Sequence, residues 1–129
     1  MLKKIILPIL LFTLILVGCK HEEGKGGLAT IKGKVYGKDF NSNGDLVSEN
    51  YIGDVNVYIS KHGETAYFDD LNTSYDGSFE FNFLYPGKYD IWVFGDCDSC
   101  NWDQVYELIT VEIPDKRSVI TVEDIIITL

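Results

Sequence analysis

The chain is poor in the side chains that carry most chemistry. Its 129 residues include two histidines, His21 and His62, one arginine, Arg117, and one methionine. That stock offers no Ser/His/Asp set that the sequence can place together. The paired acids Asp69-Asp70 alternate across a strand, so they read as solvated rather than as a general acid and base. Cysteine is scarce too, with three in all. Structural zinc needs four Cys or His ligands, and beyond the first residues only Cys97, Cys100 and His62 are at hand. Basic residues number 11 against 20 acidic ones, a formal charge of −9. Residues 1–18 carry Lys3 and Lys4 and no acid, so the remainder stands at −11. This balance excludes nucleic acid, which is bound by releasing counterions through clustered Lys and Arg. It suits surface display or divalent cations. No stretch of ten residues shows a helical apolar stripe, and there is no internal repeat.

Aromatics, by contrast, are plentiful: eight Tyr, seven Phe and two Trp. This is the composition of a folded chain rather than an acidic tail. Beyond Gly27 the apolar pattern has period two, the mark of half-buried strands. Thr30–Tyr36, Val55–Ile59, Ala66–Phe68, Phe79–Phe83, Tyr89–Phe94, Val105–Ile113 and Val119–Leu129 are the candidates. Asp76-Gly77 reads as a hairpin turn, and Pro86-Gly87 and Pro114-Asp115-Lys116 as further breaks. Seven short strands in about 100 residues predict an all-β, two-sheet sandwich. Phe79, Phe81, Tyr89, Ile91 and Val93 are its expected core.

The N-terminus reads as a processing signal. Lys3 and Lys4 precede an apolar run of thirteen residues, Ile5 to Val17. A bilayer-spanning helix needs about 20 apolar residues, whereas a signal peptide needs fewer. Leu16-Val17-Gly18-Cys19 resembles the lipobox of bacterial lipoproteins. The resemblance implies cleavage before Cys19, a diacylglycerol on its thiol and further acyl chains such as palmitate. Several chains together anchor stably. Lys20-His21-Glu22-Glu23 resembles the surface-export signal of Bacteroidetes-type lipoproteins. The implied address is the cell envelope, as an outer-membrane lipoprotein exposed at the surface. Residues 1–18 are thus a signal peptide, 19–27 a lipidated flexible tether rich in glycine, and 28–129 the domain.

Ile31-x-Gly33-x-Val35, then Val55-x-Val57, then Thr73-x-x-x-Gly77-x-Phe79-x-Phe81, then Leu84-x-Pro86-Gly87-x-Tyr89-x-Ile91 resemble the carboxypeptidase regulatory-like and Cna-B-type domains. The likeness implies a seven-stranded Greek-key, prealbumin-like sandwich. It does not imply an activity, because that fold hosts stalks, accessory domains and carriers. Hydrolytic and dioxygenase members of the transthyretin-like superfamily use histidines with arginine or tyrosine partners, whereas this chain has two His, one of them in the tether, and a single Arg117.

Three sets of residues are site candidates. Asp39, Asn41, Asn43 and Asp45 alternate before Glu49, with Gly44 at the sixth place, like the front of an EF-hand calcium loop. The Glu falls one residue early for the twelfth, bidentate place. B-type repeats of Gram-positive adhesins carry a similar loop, so Ca²⁺ is the expected ion. Cys97-Asp98-Ser99-Cys100 could be a redox motif or half a zinc site. In the oxidising compartment the lipobox implies, a local disulfide is the expected form, which leaves Cys19 as the odd thiol for lipid. Finally, if Ile91 and Val93 face inward, Trp92 and Phe94 face outward. Tyr58 and Tyr36 do so on the same logic, and exposed aromatics dock partners or sugars. The expectation is a membrane-held, non-enzymatic structural or binding accessory whose partner is another surface protein. The rival is a carbohydrate-binding module of a glycan-uptake system.

Overall fold

The computed structural model describes residues 21–129. Cys19, and with it the whole signal-peptide and lipidation reading of residues 1–20, lies outside the described residues. The period-two pattern becomes nine strands: β1 (Lys25–Phe40), β2 (Leu46–Tyr51), β3 (Asn56–Lys61), β4 (Asp69–Asn72), β5 (Ser78–Leu84), β6 (Gly87–Asp96), β7 (Gln104–Ile113), β8 (Val119–Thr121) and β9 (Ile125–Thr128). One 3-10 turn, Asn101–Asp103, precedes β7. No helix among the described residues is long and apolar enough to cross a membrane.

Two sheets face each other. In the first, β1 is the long central strand. Its early half pairs with β5 and its later half with β2, both antiparallel. On the opposite edge, β8 and then β9 run parallel to it. The second sheet has the order β4-β3-β6-β7, antiparallel throughout. Between the sheets lie Ile31 and Val35 of β1, Val57 and Ile59 of β3, Phe79 and Phe81 of β5, Tyr89, Ile91 and Val93 of β6, and Ile125 and Ile127 of β9. Each such side chain contributes roughly 1.5–3 kcal/mol over leaving it exposed. The five expected core residues are all buried.

The strand count departs from the expected seven for physical reasons. β2 is exposed along its whole length, so it has no buried face to imprint an alternation, and only its ladder to β1 holds it. The strand expected at Ala66–Phe68 begins instead at Asp69. The last segment is split in two by residues 122–124. Asp76-Gly77 does make a tight turn, with the Gly77 amide donating to Ser74 O at 2.8 Å. It carries the chain from one sheet to the other rather than closing a hairpin, because β4 and β5 belong to different sheets.

Two glycines are close-approach residues. A Cβ on Gly33, which points into the core, would lie 2.9 Å from the Phe79 ring. A Cβ on Gly27 would lie 2.1 Å from the Leu84 carbonyl oxygen. The second shortens the tether expected at 19–27. Lys25–Gly27 are already part of β1, and Gly27 is small so that β1 can press against the end of β5.

Candidate aromatic binding face

The outer face of the β4-β3-β6-β7 sheet carries the most distinctive chemistry. Register sets its rows: Tyr58 of β3 is opposite Trp92 of β6, which is opposite Leu108 of β7. In the next row, toward the Asp96 end of β6, Phe94 is opposite Tyr106. Period two turns all five outward while Val57, Ile91 and Val93 fill the core. Tyr58 and Trp92 stack with centroids 5.7 Å apart and planes 12° apart. Tyr67, from the loop between β3 and β4, meets the edge of Tyr58 at 4.9 Å. Phe94 meets Tyr58 at 5.8 Å and Tyr106 at 6.3 Å, both edge-on. Such offset and edge-on pairs contribute about 0.5–1.5 kcal/mol each beyond burial. The cluster is therefore held in shape while its rim stays in water: Tyr106 is 58% exposed and Phe94 43%.

Tyr58 covers one face of Trp92. The other looks toward β7, where Glu64, Thr65, Trp92, Phe94, Tyr106 and Leu108 line a hollow of about 260 Å³. On the β4 side, the Asn56 side-chain amide donates to Asp70 at 3.0 Å and to Asn72 at 2.9 Å. The face thus combines ring surface with a rim of carboxylates, amides and a hydroxyl.

Next to the aromatic rows, toward the start of β6, sits a polar knot. Asp90 is buried on the outer face of β6. Its carboxylate meets His62 Nδ1 at 2.8 Å and accepts from the Gly63 amide at 2.9 Å and the Thr110 hydroxyl at 2.8 Å. Burial works against the charge on Asp90, yet the hydrogen bonds from His62, Gly63 and Thr110 outweigh it and hold the carboxyl below its ordinary value. An ionised carboxylate only accepts, so Nδ1 carries the proton. The knot ties down the loop that delivers Glu64, Thr65 and Tyr67. Thr110 donates its hydroxyl to the carboxylate, the reverse of a nucleophile giving its proton to histidine.

The structure gathers the expected Tyr58, Trp92 and Phe94 into one cluster. Tyr36 stands apart, on the outer face of the other sheet. There it meets Tyr51 edge-on at 5.1 Å, and Tyr51 donates to Asp124 at 2.8 Å. Tyr67, Tyr106, Leu108 and the His62–Asp90 pair were not anticipated. Alternation along Val105–Ile113 carries a signal for Tyr106 and Leu108, since Val111 and Ile113 face in. His62 and Asp90 are 28 residues apart and meet only through the β3–β6 register.

The five residues expected to bind calcium do not form one set. Asp39 is opposite Ser48 in the β1–β2 ladder, and Glu49 is opposite Lys38. Adjacent strand residues point to opposite faces, so Asp39 and Glu49 diverge. Asn41 Oδ1 accepts the amides of Asn43 and Asp45 at 3.0 and 2.9 Å, which spends that oxygen on closing the turn. Among the described residues no three His, Cys, Asp or Glu side chains gather as a metal set. Cys97 and Cys100 are joined in a disulfide with Cα atoms 5.4 Å apart. Trp102, in the 3-10 turn that follows this loop, is 94% exposed.

No family model matches the chain, and no curated protein matches it. Among solved structures it is similar to a Pseudomonas aeruginosa protein described as a "putative carbohydrate binding protein". The identity is 12%, over 82% of this chain and 91% of that one, with a TM-score of 0.47. So distant a likeness carries no argument about what this chain binds.

Proposed function

We propose that this chain is an envelope lipoprotein whose sandwich is a non-enzymatic binding domain, held at an outer-membrane surface by lipid on Cys19, and that its ligand is a glycan met on the aromatic face. One observation carries the binding reading: the outward aromatics of three separate segments, the β3–β4 loop, β6 and β7, converge with Tyr58 on one face beside a hollow. A monomer rarely exposes so contiguous an apolar patch without using it. The glycan reading follows from the mixture of groups. Sugar rings offer C–H faces to an aromatic plane and hydroxyls to carboxylates and amides. Trp92 has one ring face turned to the hollow, with Glu64 and Thr65 at the rim. The surplus of acid favours neutral or amino sugars over uronic acids.

A glycan array with wild type and Trp92→Ala tests this reading, with near-ultraviolet circular dichroism to check that the variant is folded. Wild type should retain at least one neutral or amino-sugar class and the folded variant should lose it. Binding by neither protein ends the glycan reading and leaves a protein partner for the same face. For the anchor, radiolabelled palmitate should enter wild type and not Cys19→Ala. Equal labelling would remove the lipoprotein reading.

A further inference from the structure

The end of the sandwich at the β5–β6 turn carries an apolar patch beside the N-terminal segment. Resting on the lipidation of Cys19, we infer that this end is seated on the bilayer and that the domain stands with its strands upright, aromatic face to the side. The first described residues are docked rather than loose. The His21 ring stacks on Tyr85 at 4.5 Å and 9°. The Gly24 amide donates to the Tyr89 hydroxyl at 2.8 Å, and the Tyr85 amide donates to Gly24 O at 2.9 Å. Tyr89 in turn donates to Tyr85 O at 2.6 Å. Lys25 pairs with Asp69 and Lys61 with Glu22. Cys19 precedes His21 by two residues, a reach of about 7 Å. A lipid on Cys19 therefore brings the bilayer to this end of the domain and to no other.

What stands at that end suits a bilayer surface. Phe83 breaks the alternation of β5. Phe79 and Phe81 face the core, so Phe83 is due inward, yet it is 66% exposed with φ of +58° while Leu84 takes the buried place. That φ is unfavourable for a bulky residue, and it turns an aromatic ring into solvent. Ala29 pairs with Leu84 and Thr30 with Val119, which brings Leu28 (58% exposed) and Val119 (62% exposed) to the same margin. Tyr85 adds an amphipathic ring, the type enriched at membrane interfaces. Lys116 and Arg117 lie between β7 and β8 at this same end, in a chain otherwise short of cations. Asp115, Glu22 and Glu23 stand at the same end and offset that charge, so the seating rests on the apolar margin. Trp92 lies five residues along β6 from Gly87 and Phe94 seven, or roughly 17 and 23 Å up the strand. The aromatic face is thereby lifted clear of the headgroups, with the disulfide loop at the far end.

The test uses the full lipidated chain in vesicles of phosphatidylethanolamine and phosphatidylglycerol that contain a nitroxide-headgroup lipid. Phe83→Cys, Val119→Cys and Ser42→Cys each supply one free thiol for an environment-sensitive fluorophore. Labels at 83 and 119 should lose most of their emission, and the label at 42, on the β1–β2 turn, should keep it. Inserting a long Gly/Ser spacer after Cys19 should restore emission at 83 and 119. Equal quenching at all three positions in a chain that takes up palmitate overturns the upright seating and leaves the anchor standing. A chain that takes up no palmitate overturns the anchor and this inference with it.

Discussion

The two sheets share one core but present opposite outer faces. On the β1 sheet, Lys32, Lys34 and Lys38 point outward among Glu49 and Glu80, and the Lys34 ammonium sits 4.7 Å above the Tyr51 ring. On the β6 sheet the equivalent rows carry Tyr58, Trp92, Phe94, Tyr106 and Leu108, with buried Asp90 beside them. Solubility needs only the first kind of face. The second gathers apolar rings where burial does not require them and uses a buried carboxylate to fix their loop. That asymmetry is why the proposed binding is assigned to the β6 sheet.

The comparison is most sharply tested at its two carboxylates. Asp90→Ala leaves the donors of His62, Gly63 and Thr110 without an acceptor, and we expect it to destabilise by about 2–4 kcal/mol. Glu80→Ala, exposed on the other sheet, should change stability by less than about 0.5 kcal/mol. Urea unfolding of the two variants measures the contrast, and equal effects would erase it.

Next in size is binding. Phe94→Ala and Tyr106→Ala should each weaken the ligand about tenfold, the worth of one well-used ring contact, whereas Lys34→Ala should leave affinity within about twofold because an exposed charge contributes little. Titration calorimetry with a glycan identified on the array reads all three. A loss at Lys34 would move the site to the opposite sheet.

A smaller effect concerns pH. The Asp90 carboxyl is held below its unfolded value by its hydrogen bonds, so the unfolded chain binds more protons and stability rises with pH across that window. The contribution is complete above about pH 4, the unfolded Asp value, and is lost as pH falls through the lower folded value. Asp76, held low by the Ser78 hydroxyl and amide, acts in the same direction. Melting curves should show the acid-side fall blunted in Asp90→Asn. An unchanged fall would mean that other carboxylates dominate. Smallest of all, Ca²⁺ should leave the melting temperature unmoved, since Asp39 and Glu49 point apart. A rise of several degrees would require the β1–β2 turn to rearrange around the ion.

The sandwich was legible because alternation is a direct image of a half-buried sheet. Phe79, Phe81, Tyr89, Ile91 and Val93 declare the core from sequence alone. β2 was not legible, since a fully exposed strand leaves no pattern. The calcium motif looked sound as a string of oxygen donors. Only the pairing of Asp39 with Ser48 reveals that side-chain parity divides it. Trp92, Phe94 and Tyr58 could be read as outward from their neighbours, but their meeting with Tyr67 and Tyr106 depends on inter-strand register and a loop path. The glycines before Ala29 read as spacer, yet Gly27 is small because the Leu84 backbone lies against it.

On the proposed reading, ligand meets the β6 sheet and not the β1 sheet. Amide chemical-shift mapping on the isotope-labelled domain, titrated with the array's best glycan, tests it most directly. Saturable shifts are expected at Tyr58, Thr65, Trp92, Phe94 and Tyr106, with Lys32, Lys34 and Lys38 unmoved. Shifts centred on those lysines, or on the β1–β2 turn, would contradict it.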